Sequence, residues 1–275
     1  MAIDPKKLND QFNIIAGLRG FLQFEPFRLF AALANAMPNN PLAVLEIGVF
    51  CGRSLAGLAC AFPTSSIVGV DPMFSDFLNS PAVSGEAEFL AENAGDLSPT
   101  DRVNALNRVL GRLEADFGTP FRDRVQLHRV TQEEFLAKES AVHLFKFCHI
   151  DGEHTFLAVR NLLDSLPRLV GPDSVIVFDD FHNEGFPDIS EAVFTHASHK
   201  TSLFPLLFGL NKGVYVFEPN DRGRYAHDVA EYFPNTAYNV RWLPDGSFTI
   251  APRPLAVPKR SFTRRVLRRI AQRFI

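Results

Sequence analysis

Asp151, Asp179 and Asp180 each close an apolar run, FKFCHID for the first and VIVFDD for the pair. Carboxylates brought together repel one another unless a proton or a cation intervenes. Hard oxygen ligands of this kind suit Mg²⁺ or Ca²⁺. Groups able to move a proton follow closely, Glu153 and His154 after the first aspartate and His182 after the pair. The expected chemistry is a divalent-metal site with a general base beside it. Histidine titrates near neutrality, so it is the better default for that base.

The elements that must hold these residues can be read around them. Residues 145–182 run as an apolar segment, a helical pattern, a turn at Gly171-Pro172 and a second apolar segment, which is a strand-helix-strand unit. Strands joined by a crossover helix lie parallel, so their ends emerge on one sheet edge and the three acids converge there. A second unit lies earlier. LAVLEI (42–47) reads as a buried strand, Gly48 to Gly52 as its turn, Ser54 as the cap of a helix to about Phe62, and SIVGV (66–70) as a strand ending in Asp71. Glycines after a first strand let the backbone approach a ligand, and an acid at the end of the second can accept from ribose hydroxyls. The spacing is Gly-x-x-x-Gly rather than Gly-x-Gly-x-x-Gly, which weakens a dinucleotide reading. A nicotinamide-dependent oxidoreductase remains a competing class; it would share this unit without needing the three acids.

The rest of the chain supports one α/β domain, residues 42–257, between a helical N-terminal extension (1–41) and a basic tail (258–275). The extension is expected to cover a sheet edge or roof the site. Residues 73–97 lack a clear period and read as loop or short helices, whereas Ser98-Pro99-Thr100-Asp101 is a strong helix start. Val125–Val130 is the third strand, and Thr131 to Glu134 a capping box. After the central unit come a helix from Ile189 to about Ala197, an antiparallel hairpin from the runs 203–207 and 213–217, a weak helix over 222–232, and two short strands around Pro244-Asp245-Gly246.

Composition narrows the function. The 275 residues are 46% hydrophobic and 21% charged, which is ordinary for a soluble globular protein. Three cysteines without paired spacing suit a reducing cytoplasm. No apolar run reaches the length of a membrane span. Seven basic residues and no acid lie between Lys259 and Arg273, leaving 21 Lys and Arg elsewhere against all 31 Asp and Glu. An acidic body disfavours nucleic-acid binding. In the tail, Phe262, Val266, Ile270 and Phe274 recur every four residues among arginines. Such a helix can lie on the inner face of an anionic membrane, dock on a partner, or pack on its own acidic body. Self-association into a homo-oligomer stays open.

The strings VLEIGVFCGRSLAGLA, IVGVDP, HIDGEHTFLAVRNLLDSL and VIVFDDF, in that order, resemble the class I S-adenosylmethionine-dependent methyltransferases. They are most similar to the branch of macrocin- and mycinamicin-type sugar O-methyltransferases and cephalosporin-hydroxylase-named proteins, over about residues 42–217. The resemblance implies a Rossmann-like doubly wound sheet, mostly parallel with one antiparallel strand near its C-terminal end. It implies S-adenosylmethionine as cofactor, with Glu46, Gly48 and Gly52 under its methionine part, Asp71 on the ribose, and Thr131 and Gln132 near the adenine. Asp151, Asp179 and Asp180 would bind Mg²⁺. DDFH is similar to the DDYH of mycinamicin-type enzymes, which puts His182 first as base, with Glu153 and His154 competing. The implied reaction is methyl transfer to a hydroxyl of a small-molecule acceptor, a glycosyl or secondary-metabolite compound. A scaffold that binds S-adenosylmethionine without turnover and docks through its tail is the third reading.

Overall fold

Short β-branched runs bounded by glycine and aspartate build the centre of the molecule, where burial on both faces favours parallel pairing. The computed structural model describes residues 4–37, 43–73, 84–138, 145–199 and 202–253. Strands β1 (Ala43–Ile47), β2 (Ser66–Val70), β3 (Val125–His128), β4 (Phe145–Ile150) and β5 (Val170–Phe178) are parallel. The hairpin of β6 (Leu203–Gly209) and β7 (Lys212–Phe217) follows, with β7 inserted antiparallel beside β5. The sheet does not stop there. The last short strands, β8 (Tyr238–Trp242) and β9 (Phe248–Pro252), form a hairpin that joins the edge of β6 through β9. The order is β3-β2-β1-β4-β5-β7-β6-β9-β8.

Helices cover both faces. The extension forms α1 (Pro5–Ile15) and α2 (Phe24–Ala36), and α3 (Arg53–Ala61) links β1 to β2. The aperiodic stretch contains α4 (Ser84–Ala94), followed by α5 (Pro99–Phe117) with the expected capping box of Ser98 and Asp101. The short α6 (Phe121–Arg124) leads into β3, and α7 (Gln132–Lys138) follows it. The crossover helix α8 (Phe156–Leu169) joins β4 to β5, so Gly171-Pro172 falls inside β5 rather than in a turn. After it come α9 (Pro187–His199) and α10 (Arg222–Ala230). The residue capping α3 is Gly52, in the left-handed region, and Ser54 lies within the first turn. The tail lies outside the described residues. Among those described, no helix is long and apolar enough to cross a membrane.

Two apolar cores sandwich the sheet. Phe27, Phe30 and Phe147 lie on the face covered by the N-terminal helices, and Leu162, Leu166 and Phe178 on the face covered by α8 and α9. The segment between α1 and α2 is tied down by two arginines. Arg53 Nε donates to the carbonyl of Leu18 at 2.7 Å, and Arg19 Nη1 to that of Ala94 at 2.6 Å. The segment joining α1 to α2, with the start of α2, therefore overhangs the carboxyl edge of the sheet.

Candidate active site

The strand ends meet through backbone hydrogen bonds. Gly48 N donates to Val70 O (2.9 Å), Asp151 N to Ile47 O (2.8 Å) and Asp179 N to Ile150 O (2.9 Å). Gly48 has φ 86°, and a Cβ there would fall 1.8 Å from the Asp151 carbonyl oxygen. Only glycine allows that approach. Gly52, also at φ 86°, faces Leu106. Asp71 closes the first loop: its Oδ2 accepts from Val49 N (2.8 Å) and Phe50 N (2.7 Å), and its Oδ1 from Met73 N (2.6 Å).

Two cavities open on this edge. The smaller, about 190 Å³, lies over Gly48, Asp71, Thr131, Gln132, Gly152 and Glu153. The larger, about 810 Å³, lies between the strand ends and the roof, against Gln23, Glu25, Arg53, Asp179, Asn211 and Lys212. Asp151, Asp180, Glu86 and Phe186 border both. Phe21 also borders both and stacks between Phe50 (5.5 Å) and Phe89 (4.9 Å).

The acids arrive together, but each meets a different partner. Asp179 is ion-paired through Oδ1 with Lys212 on β7, and its Oδ2 lies 3.4 Å from His149 Nε2. Burial opposes its ionisation, yet the charges and hydrogen bonds of Lys212 and His149 together outweigh this and hold the carboxyl well below the usual range. His149 is fully buried and its Nδ1 lies 2.9 Å from Glu46 Oε1. Burial works against its charge, but the carboxylates of Asp179 and Glu46 prevail and push it up to about 9. Burial raises Glu46 in spite of His149. Thus Glu46, His149, Asp179 and Lys212 form a charged chain across four neighbouring strands, β1, β4, β5 and β7.

His154 forms a second cluster. Its Nδ1 lies 2.8 Å from Glu86 Oε1, while its Nε2 lies 3.6 Å from Asp151 and 3.8 Å from Asp180. Burial opposes its charge and is outweighed by Asp151 and Glu86, which push it up to about 10. Asp151 moves the other way for a carboxylate, up to about 6, through burial and then the charge of Asp179. Asn183 Nδ2 donates to Asp180 Oδ1 at 2.8 Å, and Asn211 Nδ2 also donates to that oxygen.

The structure brings Glu46, Gly48, Asp71, Thr131, Gln132, Asp151, Glu153, His154, Asp179 and Asp180 to one edge. Glu46 and Gly52 border neither cavity, Gly52 lying against Leu106, and His182 turns away from both. Positive φ at Asp180 (48°) and His182 (65°) turns the chain, and the imidazole is exposed against Phe181, Phe194 and Phe208, bordering neither cavity. Glu46 is separated from the surface by full burial, so it supports the loop from beneath. Thr131 and Glu134 make the expected reciprocal cap at 3.2 Å each, and Gln132 Nε2 donates to Ala158 O at 2.9 Å. His149, Glu86 and the Phe21 stack had no place in the expected site. A histidine inside an apolar strand is the one local signal that could have pointed to His149.

A parallel core with a glycine loop on its carboxyl edge, an acid ending the second strand and the reversed strand β7 beside β5 defines a Rossmann-like nucleoside-binding class. Residues 45–181 match the family model described as a methyltransferase domain. The chain belongs to the class I S-adenosylmethionine-dependent methyltransferases, which sets aside the nicotinamide alternative. Similar solved structures include cofactor-bound Rv0187 from MTB, with 17% identity, 79% of this chain and 92% of that chain covered, and a TM-score of 0.50. CalS11, a calicheamicin methyltransferase, has 16% identity over 78% and 94% of the two chains, with a TM-score of 0.50. At such identities the likeness shows the fold. No curated protein matches the chain.

Proposed function

We propose that the protein transfers methyl from S-adenosylmethionine to a hydroxyl oxygen of a small-molecule acceptor. The observation that carries this reading is the shared wall of the two cavities, where Asp151 and Asp180 face both. The smaller cavity takes the cofactor, with the Gly48–Gly52 loop under its methionine part, Asp71 at the ribose, and Thr131 and Gln132 beside the adenine. Two of the Asp71 bonds hold that loop, so the acid shapes the cleft as well as facing it. The larger cavity takes the acceptor. Alignment of two bound reactants across the shared wall supplies much of the acceleration.

Bound S-adenosylmethionine supplies an activated methyl on a sulfonium. The chain's own residues must orient the acceptor hydroxyl and receive its proton. His154 is held as an imidazolium by three carboxylates, so it positions Asp151 and Asp180 rather than accepting a proton. Glu153 accepts from the Thr155 hydroxyl (2.8 Å) on the cofactor side. Asp151 therefore takes the role first given to His182. Its carboxyl is raised toward neutrality and borders both reactants.

The donor set also fits Mg²⁺. Asp151 and Asp180 offer hard oxygens, and Mg²⁺ is commonly held by one or two carboxylates with its remaining sites filled by water or substrate. Asp179 is committed to Lys212 and His149. A cation so held would lower the pKa of a coordinated hydroxyl and of Asp151 itself, so Asp151 serves as the base in the site without the ion.

The test pairs two variants. Asp151→Asn should lose about 10²-fold or more of methyl transfer while binding S-adenosylhomocysteine within a few-fold of the parent. His182→Ala should turn over normally. Loss in His182→Ala with Asp151→Asn unaffected would return the proton to His182. Chelation by EDTA with Mg²⁺ rescue tests the cation; full activity after chelation would remove it.

A further inference from the structure

We propose that the acceptor is a hydroxylated amine, cationic at neutral pH, with a flat apolar face and no phosphate or carboxylate. This rests on reading the larger cavity as the acceptor side.

Charge on the wall comes first. Five carboxylates, those of Glu25, Glu86, Asp151, Asp179 and Asp180, line the cavity against two cations among the described residues, Arg53 and Lys212. Neither cation is turned to a ligand. Lys212 is paired with Asp179, and Arg53 spends Nε on Leu18 O at 2.7 Å and Nη2 on Ala16 O at 3.1 Å and on Leu18 O. On the roof, Glu25 Oε2 accepts from the neutral hydroxyl of Tyr238 at 2.6 Å, a bond that leaves its charge uncancelled. His154 beside Glu86, Asp151 and Asp180, and His149 behind Asp179, offset two of the five from outside the cavity, and a divalent cation would offset Asp151 and Asp180, so the carboxylate left to face an acceptor is that of Glu25. Like charges facing each other across a contact are costly, so an anionic handle is rejected and an ammonium is drawn in.

The apolar side of the cavity is equally specific. Phe21 and Phe89 stack on each other yet stay 47% and 50% exposed where the two cavities meet. Rings left half open at a cavity mouth offer a face that a flat ligand can cover, and ring faces also attract cations. Asn183 and Asn211, both bonded to Asp180, add polar groups at the acceptor end.

The experiment uses the full chain and two matched sets of probes. One shares a 3,4-dihydroxyphenyl core bearing an aminoethyl, hydroxyethyl or carboxymethyl arm. The other compares a methyl hexoside with its 2-amino and 6-phosphate forms. Methyl transfer from labelled S-adenosylmethionine is measured, together with the melting-temperature shift given by each probe beside saturating S-adenosylhomocysteine. The amine should exceed its neutral counterpart at least tenfold in kcat/KM or apparent affinity in at least one set, with the anion weakest. Glu25→Gln should cut the amine's advantage at least threefold and leave S-adenosylhomocysteine affinity unchanged. An anion equal to or better than the amine, a neutral probe matching it, or amines that give neither turnover nor a melting shift overturns the proposal. Calorimetry with S-adenosylhomocysteine alone separates the two readings. No binding there sinks the cofactor placement, whereas normal binding with the wrong charge preference sinks this inference only.

Discussion

Replacing His149 with phenylalanine would leave Glu46 and Asp179 without the cation between them, although the ring fits an apolar neighbourhood that already includes Phe30 at 4.9 Å. Removing one partner from a buried charged group costs roughly 3–5 kcal/mol. His149→Phe should therefore lower urea-unfolding stability by that order, and a change below about 1 kcal/mol would show that the chain across β1, β4, β5 and β7 carries no such tension. The residue types of the site are legible in the sequence, because acids at the ends of apolar runs have few structural reasons to be there. Their partners are not. Glu46 and His149 are 103 residues apart and Lys212 is 33 from Asp179, so no spacing rule joins them. His182 lies outside both cavities for a local reason: its direction depends on positive φ at Asp180 and at His182 itself, which residue types alone do not announce.

At the level of elements, the loop between β1 and α3 is the most constrained. Gly48→Ala would combine a left-handed φ with a Cβ 1.8 Å from the Asp151 carbonyl. Strain of this kind costs about 2 kcal/mol or more, and relief requires moving the loop from β4. The variant should lose both stability and S-adenosylhomocysteine affinity, the latter at least tenfold by calorimetry; unchanged affinity would detach the loop from the cofactor. The strands β1 to β7 and the caps at Ser98 and Thr131 were readable because apolar runs and cap residues are local signals. Helix α4 was not, since its sequence is weakly amphipathic. Long-range contacts accompany it: Arg19 bonds to Ala94 O, Phe21 stacks on Phe89, and Glu86 meets His154. The β8–β9 hairpin was readable as a hairpin, while its attachment to β6 is a non-local choice.

For the whole molecule, the acidic body and basic tail have opposite expectations. The seven basic residues between Lys259 and Arg273 would each add about 1 kcal/mol beside an anionic lipid surface, whereas packing on the acidic body would add nothing there. Full-length chain should co-sediment with phosphatidylserine vesicles at low salt and release at high salt, and a chain ending at residue 258 should not bind. Equal binding by both would retire the membrane role. The central claim, however, concerns the two cavities and their shared wall. It is tested most directly by the crystal structure of the protein grown with S-adenosylhomocysteine. The expected density places the adenosine over Asp71, Thr131 and Gln132, with the sulfur toward Asp151 and the larger cavity left open to an acceptor. Density for the ligand in the larger cavity, or none at a saturating concentration, would contradict the account.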